Sequence, residues 1–316
     1  MSFNAVLAII KDVVSHLQPL NIQYFDLTGK TALVTGANSG IGFYTALLLA
    51  KMSCNVIIAS SNLNKSLKAC ETLKQLSGNP EISAMHLNLA SFNSIDKFIE
   101  DFTSKFDKVD IIINNSGVAM DKFTLTENNF ETTLQVNYLG PFYMTLKLLP
   151  LVEKAKDARI VNVSSFMHKI FTFETPFNFN IANSKNYSLY KEYARTKLYN
   201  VLFTRALSIK LRPKKITVVS CHPGLVSTNL DVNMRQGSSS DRFQSSVIGY
   251  ITDIIGRKGE QCGMTSVFAA TSDRVVSGGY YDACVLDFTS KMGKDVKLAN
   301  QLFDYTLEEL KLNFDS

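Results

Sequence analysis

A chain of 316 residues with 46% hydrophobic side chains can bury a full core, as one large domain or two small ones. Charged residues make up only 19%, which excludes long disorder, and the five cysteines form no Cys-x-x-Cys pair and read as free buried thiols of a reducing compartment. The net charge of +5, from 33 basic and 28 acidic residues with no basic block, argues against nucleic acid as the main partner while suiting a phosphate-bearing ligand or a membrane surface.

Residues 1–28 precede the first strand as an extension. Phe3, Leu7, Ile10, Val14 and Leu17 recur at helical spacing, with Asn4, Lys11, Asp12 and Ser15 on the other side. The uncharged run ends at Lys11, short of the ~20 residues that a membrane span needs. No basic start or clear cleavage site marks a secretory signal. An amphipathic helix over residues 3–17 is expected, lying on its own fold, on a second subunit or peripherally on an intracellular membrane such as the endoplasmic reticulum, with the protein cytoplasmic. From residue 29 to 316 the pattern reads as one domain. Apolar strands at Ala32–Val34, Asn55–Ala59, Ile82–Leu87, Val109–Ile113, Arg159–Val163 and Ile216–Ser220 alternate with helical stretches. That order predicts an α/β fold: a doubly wound parallel sheet of about seven strands with helices on both faces. Residues 232–256, with the Ser-rich stretch Gly237–Asp241, read either as a surface loop or as a flexible flap over the site. Four widely spaced histidines offer no metal site.

The chain is organised around Thr35-Gly36-Ala37-Asn38-Ser39-Gly40-Ile41-Gly42, where a buried strand runs through a glycine turn into a helix. That arrangement lets backbone approach a pyrophosphate and points helix N–H groups at it. The stretch resembles the nucleotide-binding signature of the short-chain dehydrogenase/reductase superfamily. The lead-in Phe25-Asp26-Leu27-Thr28-Gly29-Lys30 is similar to that of its retinol-dehydrogenase and WW-domain-oxidoreductase branch. The chain has no tryptophan and therefore no WW domain.

The resemblance implies a Rossmann-type fold and a nicotinamide cofactor over Gly36, Asn38, Ser39, Gly40, Ile41 and Gly42. A carboxylate at the end of the second strand would bind the ribose diol of NAD. Ser60-Ser61-Asn62 stands there instead, so NADP(H) is preferred and NAD(H) remains an option, with Ser60, Ser61 and Lys65 candidates for the 2′-phosphate. Asn88 and Leu89 match the family's adenine-side Asp-Leu, with Asn for Asp. Asn115, Ser116 and Gly117 match its Asn-Ala-Gly turn beside the adenosine ribose. That turn also suits Asn and Gly for conformational reasons alone. Pro223, Gly224, Val226 and Thr228 match the stretch that shields the nicotinamide. His222 beside them reads as structural.

Carbonyl reduction needs a proton donor at the oxygen. Tyrosine and lysine four apart on a helix share a face, and a nearby ammonium favours the phenolate. Three such pairs occur: Tyr143/Lys147, Tyr187/Lys191 and Tyr193/Lys197. Tyr193 opens a long apolar helix similar to the retinol-dehydrogenase signature, so Tyr193 and Lys197 are expected to be catalytic and to touch the cofactor. The resemblance adds Ser165, rather than Ser164, at the substrate oxygen, and Asn137 binding a relay water.

The expected activity is interconversion of an alcohol and a carbonyl by hydride transfer. A catalytically inactive nucleotide-binding scaffold on the same fold is the alternative, and a homodimer is a further option. Between Ser165 and Tyr193, Phe171, Phe173, Phe177 and Phe179 alternate with polar residues. Together with the apolar run 247–255 they are expected to wall a pocket for a bulky lipophilic substrate of retinoid, steroid or prenoid type.

Overall fold

The structure is a computed structural model that describes residues 19–175, 177–224 and 256–314. The amphipathic stretch 3–17, Val226, Thr228, the apolar run 247–255 and nearly all of the expected flap 232–256 lie outside the described residues.

Eight strands form one sheet in the order β3-β2-β1-β4-β5-β6-β7-β8. They are β1 (Thr31–Thr35), β2 (Asn55–Ser60), β3 (Ile82–His86), β4 (Ile111–Asn114), β5 (Arg159–Val163), β6 (Thr217–His222), β7 (Tyr280–Asp282) and β8 (Val285–Asp287). The first seven pair in parallel, and β8 adds an antiparallel edge through Tyr280↔Asp287 and Asp282↔Val285. The expected count of about seven thus holds for the parallel strands, and β8 is the addition. It is three residues long with two of its three residues exposed, too short and too wet to carry an apolar signature.

Side chains of a strand alternate between faces, and here both faces are dry. Ala32, Val34, Val56, Ile58, Ile111 and Ile113 enter one core layer, while Leu33, Ile57 and Ile112 enter the other. This explains why the strands read as continuous apolar runs. The first layer is closed by α1 (Gly40–Lys51) and α2 (Leu63–Ser77), with α6 (Met264–Thr271) further along. The second is closed by α3 (Phe92–Thr103), α4 (Gly140–Val152) and α5 (Leu189–Lys210). Outside these, α7 (Val296–Leu310) packs along α5.

Tyr193, Lys197, Asn200 and Thr204 are spaced 4, 3 and 4 apart and share the face of α5 turned to the sheet. Arg195, Tyr199 and Phe203 lie on the opposite face. The phenylalanine segment covers that opposite face. Phe179 packs on Tyr138, Tyr199 and Tyr305, Phe177 on Tyr199, and Phe173 under the Arg195 guanidinium, with ring separations of 4.7–6.1 Å. Of the rings expected to wall a substrate pocket, Phe173 and Phe179 are buried, while half-buried Phe177 lines a cavity with Thr175, Gln301 and Tyr305, and the second expected wall, 247–255, lies outside the described residues. Their alternation is that of a strap whose inward rings, Phe173 and Phe179, join the core between α5 and α7.

Candidate active site

The order 3-2-1-4-5 reverses between β1 and β4, and the ends of those two strands carry the glycine turn and Asn114–Gly117. Crevices at such a reversal are where open α/β sheets take ligands. Gly36 and Gly40 have φ of +67° and +57°, the left-handed region that L side chains avoid. Gly42 has a packing reason instead: a Cβ there would stand 2.5 Å from Asn115 Nδ2 and 2.6 Å from the Gly36 carbonyl. Asn115 Nδ2 donates to the Thr35 carbonyl at 2.8 Å, and Thr35 Oγ1 accepts from the backbone N–H of both Asn115 and Ser116 at 3.0 Å. The turn is thereby fastened to β4. Thr35 was not singled out in the sequence; its place between a strand and a glycine turn is the local signal.

Helix α1 begins with Ser39 at its N-cap, whose side chain makes no capping bond, and no acid occupies the first turn. Its first N–H groups and positive dipole end are left facing the glycine turn, which fits a pyrophosphate. The half-buried Ile41 contributes its carbonyl to Thr45 within the helix at 2.8 Å. At the end of β2, Ser60 is 8% exposed and its hydroxyl is occupied by Asn38 Nδ2 at 2.9 Å and Ser66 Oγ at 2.8 Å. Asn62 caps α2 by accepting from Lys65 N. Of the residues expected to meet a 2′-phosphate, Ser61 and Lys65 are the exposed ones. No acid stands at 60–62. Asn88 Oδ1 accepts from Ala90 N at 3.1 Å, and buried Leu89 presses its carbonyl where a Cβ on Gly140 would be, 2.6 Å away.

Three elements bring the remaining four residues together. Ser165 follows β5, Tyr193 and Lys197 come from α5, and Asn137 lies on a π-helical turn (Gln135–Leu139) leading into α4. Such turns insert one residue per turn and swing side chains off the α-helical register. The Ser165 hydroxyl accepts from Met167 N at 3.3 Å and stands close enough to the Tyr193 phenol to lower its pKa, and Lys197 Nζ lies 5.3 Å from the centroid of that ring. Lys197 Nζ also donates to the Val163 carbonyl at 3.0 Å. A Cβ on Gly117 would stand 3.5 Å from that ammonium and 3.6 Å from Asn137 Oδ1, so the turn after β4 closes around both. The Asn137 amide is committed: Oδ1 accepts from Val118 N at 2.7 Å, and Nδ2 donates to Val118 O at 2.8 Å and Thr196 Oγ1 at 3.1 Å. Thr196 was not anticipated either, although its place beside Lys197 is a signal. Below these lies a buried polar floor no local pattern reveals: Asn114 Nδ2 to Asn162 Oδ1 (2.8 Å) and Thr145 Oγ1 (2.9 Å), and Asn162 Nδ2 to Thr204 Oγ1 (2.9 Å).

The two serines part company. Ser164 Oγ donates to the Lys197 carbonyl at 2.7 Å and is 2% exposed, whereas Ser165 faces Tyr193. The other Tyr-x-x-x-Lys pairs are engaged elsewhere. Tyr143 donates to Asp96 at 2.9 Å, and Lys147 pairs with the same carboxylate. Tyr187 donates to the Met120 carbonyl at 2.9 Å and meets Glu131 and Thr133. Burial pushes the Tyr193 hydroxyl well up, and the nearby Ser165 hydroxyl offsets only part of that rise. Burial brings Lys197 down to about 8, so it stays mostly charged at neutral pH and loses its proton above that. Pro223 and Gly224 are buried just after β6, Gly224 with φ of +93°. His222, 3% exposed, packs against the Phe166 ring at 5.5 Å.

A switch-point glycine turn, an uncapped helix N-terminus and a buried serine–tyrosine–lysine cluster define a Rossmann-type dinucleotide-dependent oxidoreductase. Residues 30–176 match the family model for short chain dehydrogenases. Retinol dehydrogenase 13 of Homo sapiens is 33% identical over 281 residues, 88% of this chain and 83% of that protein. The chain belongs to the short-chain dehydrogenase family, on the side of its retinol-dehydrogenase-like members. A crystal structure of an uncharacterised protein from Mycobacterium paratuberculosis superposes with a TM-score of 0.71 at 26% identity, covering 93% of this chain and 98% of that one. A 3-ketoacyl-(acyl-carrier-protein) reductase from Brucella melitensis, solved with NADH, gives a TM-score of 0.61 at 26% identity over 81% and 97% of the two chains. Among the described residues, no helix is long and apolar enough to cross a membrane.

Proposed function

We propose that this oxidoreductase interconverts an alcohol and a carbonyl on a bulky lipophilic substrate of retinoid, steroid or prenoid type, with NADP(H) preferred over NAD(H). The observation that carries the chemistry is the buried cluster of Ser165, Tyr193 and Lys197, with the ammonium 5.3 Å from the Tyr193 ring centroid, beyond the end of β5 and two strands from the glycine turn of β1. When bound, the nicotinamide supplies a hydride to the carbonyl carbon, or takes one from the alcohol. Tyr193 delivers the matching proton to the carbonyl oxygen as an alkoxide develops there, and the reverse direction returns it. Ser165 donates a hydrogen bond to the same oxygen and polarises it. Lys197, when charged, favours the Tyr193 phenolate that donation leaves and holds the ribose hydroxyls. Asn137 keeps the wall of the site in place through Val118. With the Asn137 side-chain amide committed and no N–H on Pro141, the Asn137 main-chain carbonyl would be the acceptor for a relay water.

Gly36, Asn38, Ser39, Gly40, Ile41 and Gly42 would hold the pyrophosphate, Asn88, Leu89, Asn115, Ser116 and Gly117 the adenosine side, and Pro223, Gly224, Val226 and Thr228 the nicotinamide. Ser61 and Lys65 would meet the 2′-phosphate, supported by the absence of an acid at 60–62. The substrate class is supported by the similarity to retinol dehydrogenase 13. The expected location is the cytoplasm, with residues 3–17 docking on the endoplasmic reticulum surface. The test follows cofactor absorbance with NADPH and NADH against all-trans-retinal, a steroid ketone, a prenyl aldehyde and a small polar aldehyde. Turnover is expected on the lipophilic carbonyls with NADPH. A preference of about tenfold for NADH overturns the cofactor assignment, and a similar preference for the small polar aldehyde overturns the substrate class.

A further inference from the structure

Ser165 is followed by a single 3-10 turn (Phe166–Lys169), and this turn is more heavily anchored than a surface connection requires. His168 is 0% exposed. Its Nδ1 lies 2.5 Å from the Ser165 carbonyl oxygen, and its own backbone N–H donates to the same oxygen at 3.2 Å. A carbonyl can only accept, so the ring is fixed with the proton on Nδ1 and with Nε2 bare. Nε2 finds no hydrogen-bond partner among the described residues. Burial and the neighbouring Lys169 charge keep the ring neutral, bringing its pKa down to about 3. A buried histidine that was only filling space would be an expensive choice beside leucine.

The ring is held from the far side as well. It meets the edge of Tyr280, with centroids 4.8 Å apart and planes at 66°. Tyr280 sits on β7 between Ser220 of β6 and Asp287 of β8. Asp287 in turn pairs with Lys169 at 2.7 Å, both side chains at most 5% exposed, and the Lys169 ammonium lies 4.9 Å from the Tyr280 ring and 4.3 Å from that of Phe288. The β7–β8 hairpin thus grips two consecutive residues of the turn, one through an aromatic edge and one through a buried ion pair. Removing one partner of such a pair leaves a buried charge, so the grip resists sliding.

We infer that His168 is a positioning residue for the Ser165 hydroxyl, its Nδ1–H fixing the Ser165 backbone while the β7–β8 hairpin, through Lys169–Asp287, backs the turn. This rests on the proposed role of Ser165 at the reacting oxygen. A hydroxyl that must reach both Tyr193 and a substrate oxygen tolerates little drift, since misplacement by about 1 Å costs on the order of a hundredfold in rate. His168 itself touches no substrate in this scheme and acts only through Ser165.

The test is a double-mutant cycle on the full chain, with reduction of all-trans-retinal by NADPH as the reaction. His168→Leu removes the donor at similar volume, and His168→Asn returns an N–H at the position of Nδ1. The expected result is that kcat falls roughly 10- to 100-fold in His168→Leu while KM for NADPH changes less than about twofold, and that His168→Asn recovers most of the loss. Within a Ser165→Ala background, His168→Leu is expected to cost almost nothing more, because the group it positions is gone. Equal damage from Leu and Asn, or losses that multiply in the double variant, would mean a merely structural role and overturn the inference. Ser165→Ala slow and His168→Leu as fast as wild type overturns this inference alone. Ser165→Ala as fast as wild type overturns the proposed role of Ser165 and, with it, the positioning role. Should His168→Leu fail to fold, Lys169→Met/Asp287→Leu together, which remove the ion pair without stranding a charge, are expected to lower kcat in the same Ser165-dependent way; an unchanged kcat there overturns the backing role of the hairpin.

Discussion

At the scale of single residues, the chemistry turns on which of three tyrosines is free to work. Tyr143 and Tyr187 spend their hydroxyls on Asp96 and on the Met120 carbonyl, while the Tyr193 phenol stands beside Ser165 and Lys197. Tyr193→Phe keeps the ring packed and removes the proton donor, so turnover is expected to fall ~10²–10⁴-fold with cofactor binding intact. Tyr143→Phe is expected to leave turnover unchanged, and Tyr187→Phe to cost about 1 kcal/mol of stability, for the bond lost at Met120, with little loss of turnover. Steady-state kinetics with urea melts checks all three; a dead Tyr187→Phe would reassign the acid. Lys197 makes a second prediction. Its value in the fold is about 8 against an ordinary 10.5, so between those limits the unfolded chain holds a proton that the folded chain has released. Stability relative to Lys197→Met should therefore rise as pH climbs from 8 to 10.5 and stay flat below 8, where both states are charged. Urea melts across that range, with wild type and variant compared at each pH, measure the difference. Tyr193 and Lys197 were legible in the sequence because four residues on a helix make a face. What Asn137 does was not, since its partners Val118 and Thr196 lie 19 and 59 residues away.

At the scale of elements, the same distinction between local and distant decides what could be read. Strand β1, the glycine turn and α1 are contiguous, and their apolar run, left-handed glycines and helix start appear in chain order. The strap Phe171–Phe179 shows the limit. Period-two alternation says that one side of a segment is apolar, but not what lies against it, and here the buried Phe179 lies against α5 and α7. Helix α7 seals that layer with Phe303, fully buried against Phe142 at 5.2 Å, Phe203 at 6.3 Å and Phe314 at 5.2 Å. Phe303→Ala is expected to destabilise by about 3–5 kcal/mol, read from the urea midpoint. Because these rings lie on the face of α5 away from Tyr193, KM of the surviving folded enzyme should not move. A large rise in KM would place α7 as well as the strap at the substrate wall.

At the scale of the whole molecule, the continuous apolar strands specified a sheet buried on both faces, and the β-α alternation specified its parallel core. The C-terminal hairpin escaped because β7 and β8 are three residues each, and pairing with β6 rather than any pattern of their own makes them strands. The cofactor choice also belongs here, since it depends on the end of β2 lying beside the end of β1. With ligand at about 100 times its Kd, binding to the folded state alone adds roughly 2.7 kcal/mol. NADPH is therefore expected to raise the melting temperature more than NADH at equal concentration, and the reverse order would remove the NADP preference without any substrate being known.

The clasp of α7 over α5 has a consequence in time. Ribosomes add roughly 5–20 residues per second. Lys210 ends α5 and Val296 begins α7, so about 85 residues separate the face from its cover, an interval on the order of 4–17 s. Through that interval Phe142 and Phe203 await the ring that closes over them, and the nascent chain carries a naked aromatic surface. A protein whose proposed catalytic residues are all made by Lys197 is thus hostage, while being made, to a helix synthesised late, and holdase chaperones that bind exposed aromatic surface have their opening then.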